Sequence, residues 1–175
     1  MKAYDEISII IDEVTNCLVD KYGIEHKTEI NIIKNIKLKQ YKGWNFKWAN
    51  EAKEGKEVYS LHLLGNDIIE GLIALSADKN NKIIEVSLVE SAPHNIGRNK
   101  RYVGVGAHLF AIAAYLSFIN GFEGFVLFTA KTDLISHYTK KLGAVQIGKS
   151  QRMIIHPKES YKLVKKYFPN QIKEG

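Results

Sequence analysis

The chain predicts an α/β fold: a mixed, mostly antiparallel central sheet flanked by helices on both faces. Three features predict it. Three apolar segments of strand length, "EVYSLHLLG", "IIEGLIALS" and "IIEVSLVES", are joined by the short turn signals "GND" and "ADKNNK", the pattern of an antiparallel meander. A long apolar run from Gly106 to about Phe122 exceeds strand length and reads as a mostly buried helix. That run stands between the third strand and a further one, "GFVLFTA", and such a strand–helix–strand step sets its two strands parallel and right-handed.

The remaining elements follow in order. Ile7, Ile10, Ile11, Val14 and Leu18 recur at helical spacing, with Asp12, Glu13 and Asp20 elsewhere on the wheel, which predicts a first amphipathic helix ending near Gly23. Glu29 to Lys39 reads as strand or loop, and "WNFKWANEAKE" as a short helix. After the central strand, "DLISHYTKKLG" predicts a helix with Asp133 as N-cap and Gly143 as C-cap. "QRMIIH" is a strand. Pro157 and "KESYKLVKKYF" make a last helix with Tyr161, Val164 and Phe168 on one side. No repeat and no Pro/Ser-rich linker divides residues 1–175, so a single domain is expected.

Composition narrows the class. A chain of 175 residues can bury a sizeable core, and its 45% hydrophobic and 25% charged content is ordinary for a globular protein. The single cysteine, Cys17, allows no internal disulfide and suits a reducing compartment; within its amphipathic pattern it reads as buried filler. "MKAYDEISII" lacks the basic and apolar regions of a signal peptide, and the longest apolar run is well short of the roughly 20 residues of a membrane span. A cytoplasmic protein with no membrane partner is expected. The formal charge of +6, with lysines from Lys34 to Lys56 and again from Lys158 to Lys166, suits a polyanionic partner or a solvated lysine-rich surface. No basic stretch interleaves with aromatics as a nucleic-acid motif does. The histidines form no H-E-x-x-H and no Cys/His cluster, so no metal is expected. Oligomeric state is left open.

The most informative stretch is "RYVGVGA", Arg101 to Ala107, between a strand and the long helix. The first N–H groups of a helix are free and carry partial positive charge. Glycines let a ligand approach the backbone closely. With Arg101 beside it, such a turn can receive a pyrophosphate, and the apolar helix anchors it in the core. Neither the Walker spacing nor G-x-G-x-x-G is present, since Leu109 holds the third glycine's place.

Arg101-x-x-Gly104-x-Gly106 resembles the [RQ]-x-x-G-x-[GA] motif of the Gcn5-related N-acetyltransferases, the GNAT superfamily. The resemblance extends from Val58 to about Ile155, through "KIIEVSLVES", the helix after the turn, "GFVLFTAK" and "LISHYTKKLGA". It implies a GNAT-like acyl-CoA N-acyltransferase fold and acetyl-CoA, or another acyl-CoA, as donor. The pyrophosphate would sit on Tyr102, Val103, Gly104, Val105, Gly106 and Ala107 beside Arg101. The pantetheine arm would pair with Val89 to Ser91, facing "VLFTA", with Lys131 at that strand's end. Two departures stand out. "HNIGRNK" lengthens the link between Pro93 and the turn; this loop is expected over the acyl end, with His94 and Asn95 touching the acceptor. The family's tyrosine commonly stands four residues before the K-L-G glycine, where Thr139 is found; Tyr138 stands five before.

Acetyl transfer to an amine needs a base for the amine, a donor for the thioester oxygen and an acid for the leaving thiolate. The resemblance implies a backbone N–H near Val89 as oxyanion donor and Tyr138 as acid. Glu90 is the candidate base and His94 its rival. No covalent enzyme intermediate is required. The acceptor would be a small-molecule or protein amine, and the lysine cluster adds aminoacyl-tRNA. A non-catalytic acyl-CoA-binding or sensing module on the same fold, or a basic nucleic-acid-binding protein, fits some of the same features.

Overall fold

The structure, a computed structural model, describes residues 9–10, 17–33 and 42–168. The strands are β1 (Ile9–Ile10), β2 (Cys17–Asp20), β3 (Glu25–Ile33), β4 (Glu57–Leu63), β5 (Gly71–Asp78), β6 (Ile83–Ser91), β7 (Tyr102–Val103), β8 (Val126–Thr129), β9 (Val145–Gln146) and β10 (Arg152–Ile155). The helices are α1 (Trp48–Lys53), α2 (Val105–Ile119), α3 (Ile135–Leu142) and α4 (Pro157–Tyr167). The strands form one sheet in the order β7-β2-β3-β4-β5-β6-β8-β10-β9, with β1 paired to β3. The pair β6–β8 is parallel and the other pairings are antiparallel. This is the mixed, mostly antiparallel sheet that the sequence predicts, and its β4–β5–β6 meander falls where the turn signals place it.

Strand periodicity sorts the core onto two faces. Ile73 and Leu75 of β5 join a large cluster with Ile84, Val86, Val126, Phe128 and the apolar residues of α2 and α4. Leu72 and Ala74, the alternate residues, join Trp48 of α1 and Val58 in a smaller one. Helices therefore cover both faces. Helix α2 is apolar almost all round because it lies between the sheet and α4. Among the described residues no helix is long and apolar enough to cross a membrane.

The predicted first helix is corrected. Of its span, the described residues are in strands β1 and β2, pairing with β3 through Ile9–Ile30, Ile10–Glu29 and Leu18–His26. Isoleucine is β-branched and favours a strand where an edge is offered, and the edge of β3 offers one here. The rest of that segment, the side chain of Cys17 and the predicted strand or loop beyond Ile33 to Lys39 lie outside the described residues. The β2–β3 hairpin closes on Asp20, whose Oδ1 accepts the N–H groups of Tyr22 at 2.9 Å and Ile24 at 3.0 Å. Asp133 is corrected as well. It lies in a 3₁₀ turn, Thr132–Leu134, and α3 begins after Leu134 with no side-chain cap. Gly143 does end α3, at φ 67°.

Helix α2 rests directly on β5. A Cβ at Gly71 would stand 2.7 Å from Val105 Cγ1 and 2.9 Å from Leu109 Cδ1. Gly71→Ala should therefore destabilise the fold by about 1–3 kcal/mol through overpacking, read as a lower urea midpoint at unchanged m-value.

Candidate active site

The site begins where two strands part. Strands β6 and β8 pair from Ile84–Val126 to Val86–Phe128 and no further, while β6 runs on to Ser91. Beyond Val86 the β8-facing edge of β6 opens into a cleft of about 410 Å³. Its walls bring together Val89 and Ser91 of β6, Asn95, Tyr102 to Ala107 and Tyr138. These are residues from four separate parts of the predicted set. A hollow of about 210 Å³ adjoins it, sharing Val89, Phe110 and Tyr138 and adding Phe46, Ser87 and Lys131.

The turn has the geometry that anion binding requires. Gly104 takes φ 95°, a left-handed conformation that glycine adopts without strain. Hydrogen bonding within α2 starts with His108 N–H to Gly104 O at 3.0 Å, so the N–H groups of Val105, Gly106 and Ala107 precede that ladder. Lys100 and, one turn apart on α3, His137 and Lys141 add basic groups to the cleft wall. Sequence reading missed these three; the i, i+4 spacing of 137 and 141 beside Tyr138 was the available signal. Arg101 is exposed and does not line the cleft, its N–H bonded to His94 O at 2.8 Å. Lys131 lines the hollow rather than the turn end.

Strand β7 carries the turn onto the sheet by pairing Tyr102 with Asp20 and Val103 with Val19 of β2. The Asp20 carboxylate also meets His26 Nε2 at 2.8 Å, and the His26 ring lies edge-on to Tyr102. Beneath the turn, His108 is fully buried, its ring 4.6 Å from that of Tyr167, its Nε2 3.5 Å from Thr28 Oγ1 and its Nδ1 without a partner. Burial pushes this imidazole down to about 3.

On α3, Tyr138 and not Thr139 faces the cleft. Tyr138 packs against Phe110 and Phe128 at ring distances of 5.6 and 5.2 Å, and burial raises its phenol pKa. Thr139 Oγ1 donates back to Ile135 O at 3.0 Å on the exposed side.

Two expectations are corrected, those for Glu90 and His94, while Asn95 does line the cleft. Glu90 does not line the cleft. Its side chain points to the α1 face, where it accepts the N–H groups of Asn45 at 2.6 Å, Phe46 at 3.2 Å and Trp48 Nε1 at 2.9 Å. With these bonds and 6% exposure it straps the segment before α1 to the sheet and is not placed to act as a base in the cleft. His94 bonds through Nε2 to the buried Glu70 at 2.5 Å and faces a separate cavity with Lys42, Trp44 and Asp67. Asn95 gives Nδ2–H to Glu70 and takes the Tyr102 N–H on Oδ1 at 3.0 Å, so its amide holds the turn. The inserted loop thus contributes Asn95 and Lys100 at the turn end of the cleft, not at the hollow.

No protein-family model and no curated protein matches the chain. Solved structures do. A structure described as a bacterial toxin superposes with a TM-score of 0.58 at 11% identity, covering 80% of this chain and 96% of that one. The AtaT–AtaR assembly bound to acetyl-CoA gives 0.56 at 15% identity, covering 78% and 97%. The same complex bound to DNA gives 0.56 at 16% identity, covering 77% and 97%. The fold is that of the GNAT acetyltransferases, as the Arg101 to Gly106 motif predicts. Among the described residues no three His, Cys, Asp or Glu side chains gather where a metal ion could sit.

Two measurements check the assignments of buried groups. His108 is neutral in the fold and protonatable when unfolded, so the unfolded chain binds more protons below pH 6.5 and stability falls as pH drops. Between pH 7 and pH 5 this group should remove about 2 kcal/mol, and His108→Phe should abolish that share of the pH dependence in urea melts. Glu90→Ala should cost about 3 kcal/mol or more by stranding three N–H donors, read as a lower urea midpoint.

Proposed function

We propose that the chain is a single-domain N-acetyltransferase that moves an acetyl group from acetyl-CoA to an amine by direct attack. The observation that carries this reading is the parting of β6 from β8 into a cleft that ends on the bare turn of α2. The cleft offers a place for each part of the donor. Its pyrophosphate would lie on the N–H groups of Val105, Gly106 and Ala107, with Lys100, His137 and Lys141 close by. The pantetheine arm would follow Val89 to Ser91. The acyl end would reach the junction of cleft and hollow, beside Val89 and Tyr138.

At that junction a backbone N–H near Val89 would stabilise the developing oxyanion, and Tyr138 would protonate the departing thiolate. Its raised pKa keeps the phenol protonated at neutral pH, as an acid requires. The acceptor is an amine entering through the hollow. The positive charge supports including aminoacyl-tRNA beside small amines and lysine peptides in an acceptor panel.

Calorimetric titration with acetyl-CoA tests the donor site: micromolar binding is expected for the wild type and none for Gly104→Trp. Tyr138→Phe should bind acetyl-CoA as the wild type does and lose about 10²–10⁴-fold in kcat for the acceptor that the panel identifies. Loss of binding with kcat unchanged would overturn the acid role.

A further inference from the structure

With Glu90 turned to the other face, the proposed reaction needs another proton acceptor, and the geometry points to the pair Ser87–Glu51. This inference rests on the acetyl-transfer reading. Ser87 sits at a β-bulge. Strand β5 pairs Ala74 with Leu88 and Leu75 with Val86, so Ser87 is the extra residue between them. The bulge falls just past Val86–Phe128, where β6 leaves β8. Ser87 lines the hollow that adjoins Val89 and Tyr138. Its hydroxyl donates to Glu51 Oε2 at 3.0 Å, with Ala74 O at 3.2 Å. Glu51 stands on α1, half-buried, and is thus a carboxylate reached from the hollow through one hydroxyl.

The arrangement divides the chemistry between two sides. As the amine nitrogen bonds to the thioester carbon, the C–S bond breaks. The amine proton passes to Ser87 Oγ while the Ser87 proton passes to Glu51 Oε2, and Tyr138 gives its proton to the thiolate. Solvent then returns a proton to Tyr138 and takes one from Glu51. The products are the amide and CoA–SH, with no net proton left on the protein. Ser87 is the catalytic hydroxyl, and Glu51 is a positioning residue that acts through it.

The test follows CoA release with a thiol reagent, using acetyl-CoA and n-propylamine, a minimal primary amine that asks little of acceptor recognition. Acetyl-CoA affinity is measured in parallel by calorimetry and folding by thermal melts. Glu51→Gln and Ser87→Ala should each lower kcat by about 10²-fold or more, with acetyl-CoA Kd and amine KM within about twofold of wild type. Ser87→Thr, which keeps the hydroxyl, should recover most of the loss, which a purely structural role at the bulge would not produce. Wild-type kcat in Glu51→Gln or Ser87→Ala overturns the relay. So does a wild-type protein that binds acetyl-CoA but transfers nothing to n-propylamine. Failure of the wild type to bind acetyl-CoA at all is a different result, because it removes the donor reading on which the relay stands.

Discussion

Everything at this site depends on where β6 stops pairing with β8. Three residue pairs hold the strands together, and then β6 continues without its neighbour. A strand edge left unpaired in a sheet interior normally carries a desolvation cost, because its N–H and C=O groups lose both water and partner. Here the parting opens a cleft instead, so those groups meet whatever enters it. The bulge at Ser87 lies at the same point and adds local twist, which lets one strand remain bonded to β5 while leaving β8.

Two buried carboxylates tie the segments around this opening to the sheet. Glu90 straps the segment before α1 onto one face of β6, and Glu70 gathers His94 and Asn95 at its end. Glu90 takes donors from the segment before α1 and from Trp48 at its start, and Glu70 from the inserted loop, so both tie less regular backbone to the sheet. Asn95 passes that order on to the turn, since the same amide that bonds Glu70 receives the Tyr102 N–H.

The sheet's centre was legible because its signals are local. Turn residues between alternating apolar runs marked β4 to β6, and a run too long for a strand marked α2. The glycine turn at the head of α2 was legible for the same reason, being one continuous stretch of sequence that the structure places on the cleft wall from Tyr102 to Ala107. What escaped reading depends on pairing at a distance. Ile9–Ile10 and Cys17–Asp20 are strands because β3 offers an edge, which no spacing within residues 7–18 reveals. Glu90 was assigned by its position at a strand end, but strand alternation turns it to the α1 face while Val89 and Ser91 face the cleft. Lys100, His137 and Lys141 are too ordinary in sequence to single out until α3 is seated beside the turn. Tyr138 is preferred to Thr139 from the sequence, and the helix face agrees, with Tyr138 on the cleft wall and Thr139 exposed.

The pairing of β7 with β2 ties the glycine turn to a strand about eighty residues earlier in the chain. Closing a loop of that length is entropically costly and slow, and it gains nothing until β2 has joined β3. On a growing chain, Tyr102–Val103 would emerge after its partner strand is already made. The turn should therefore be among the last features to settle, and a ligand that needs it would bind only molecules whose first strands are in place. Any binding at this turn would thus report on the assembly of that sheet edge, since the turn is complete only once its partner strand is in place.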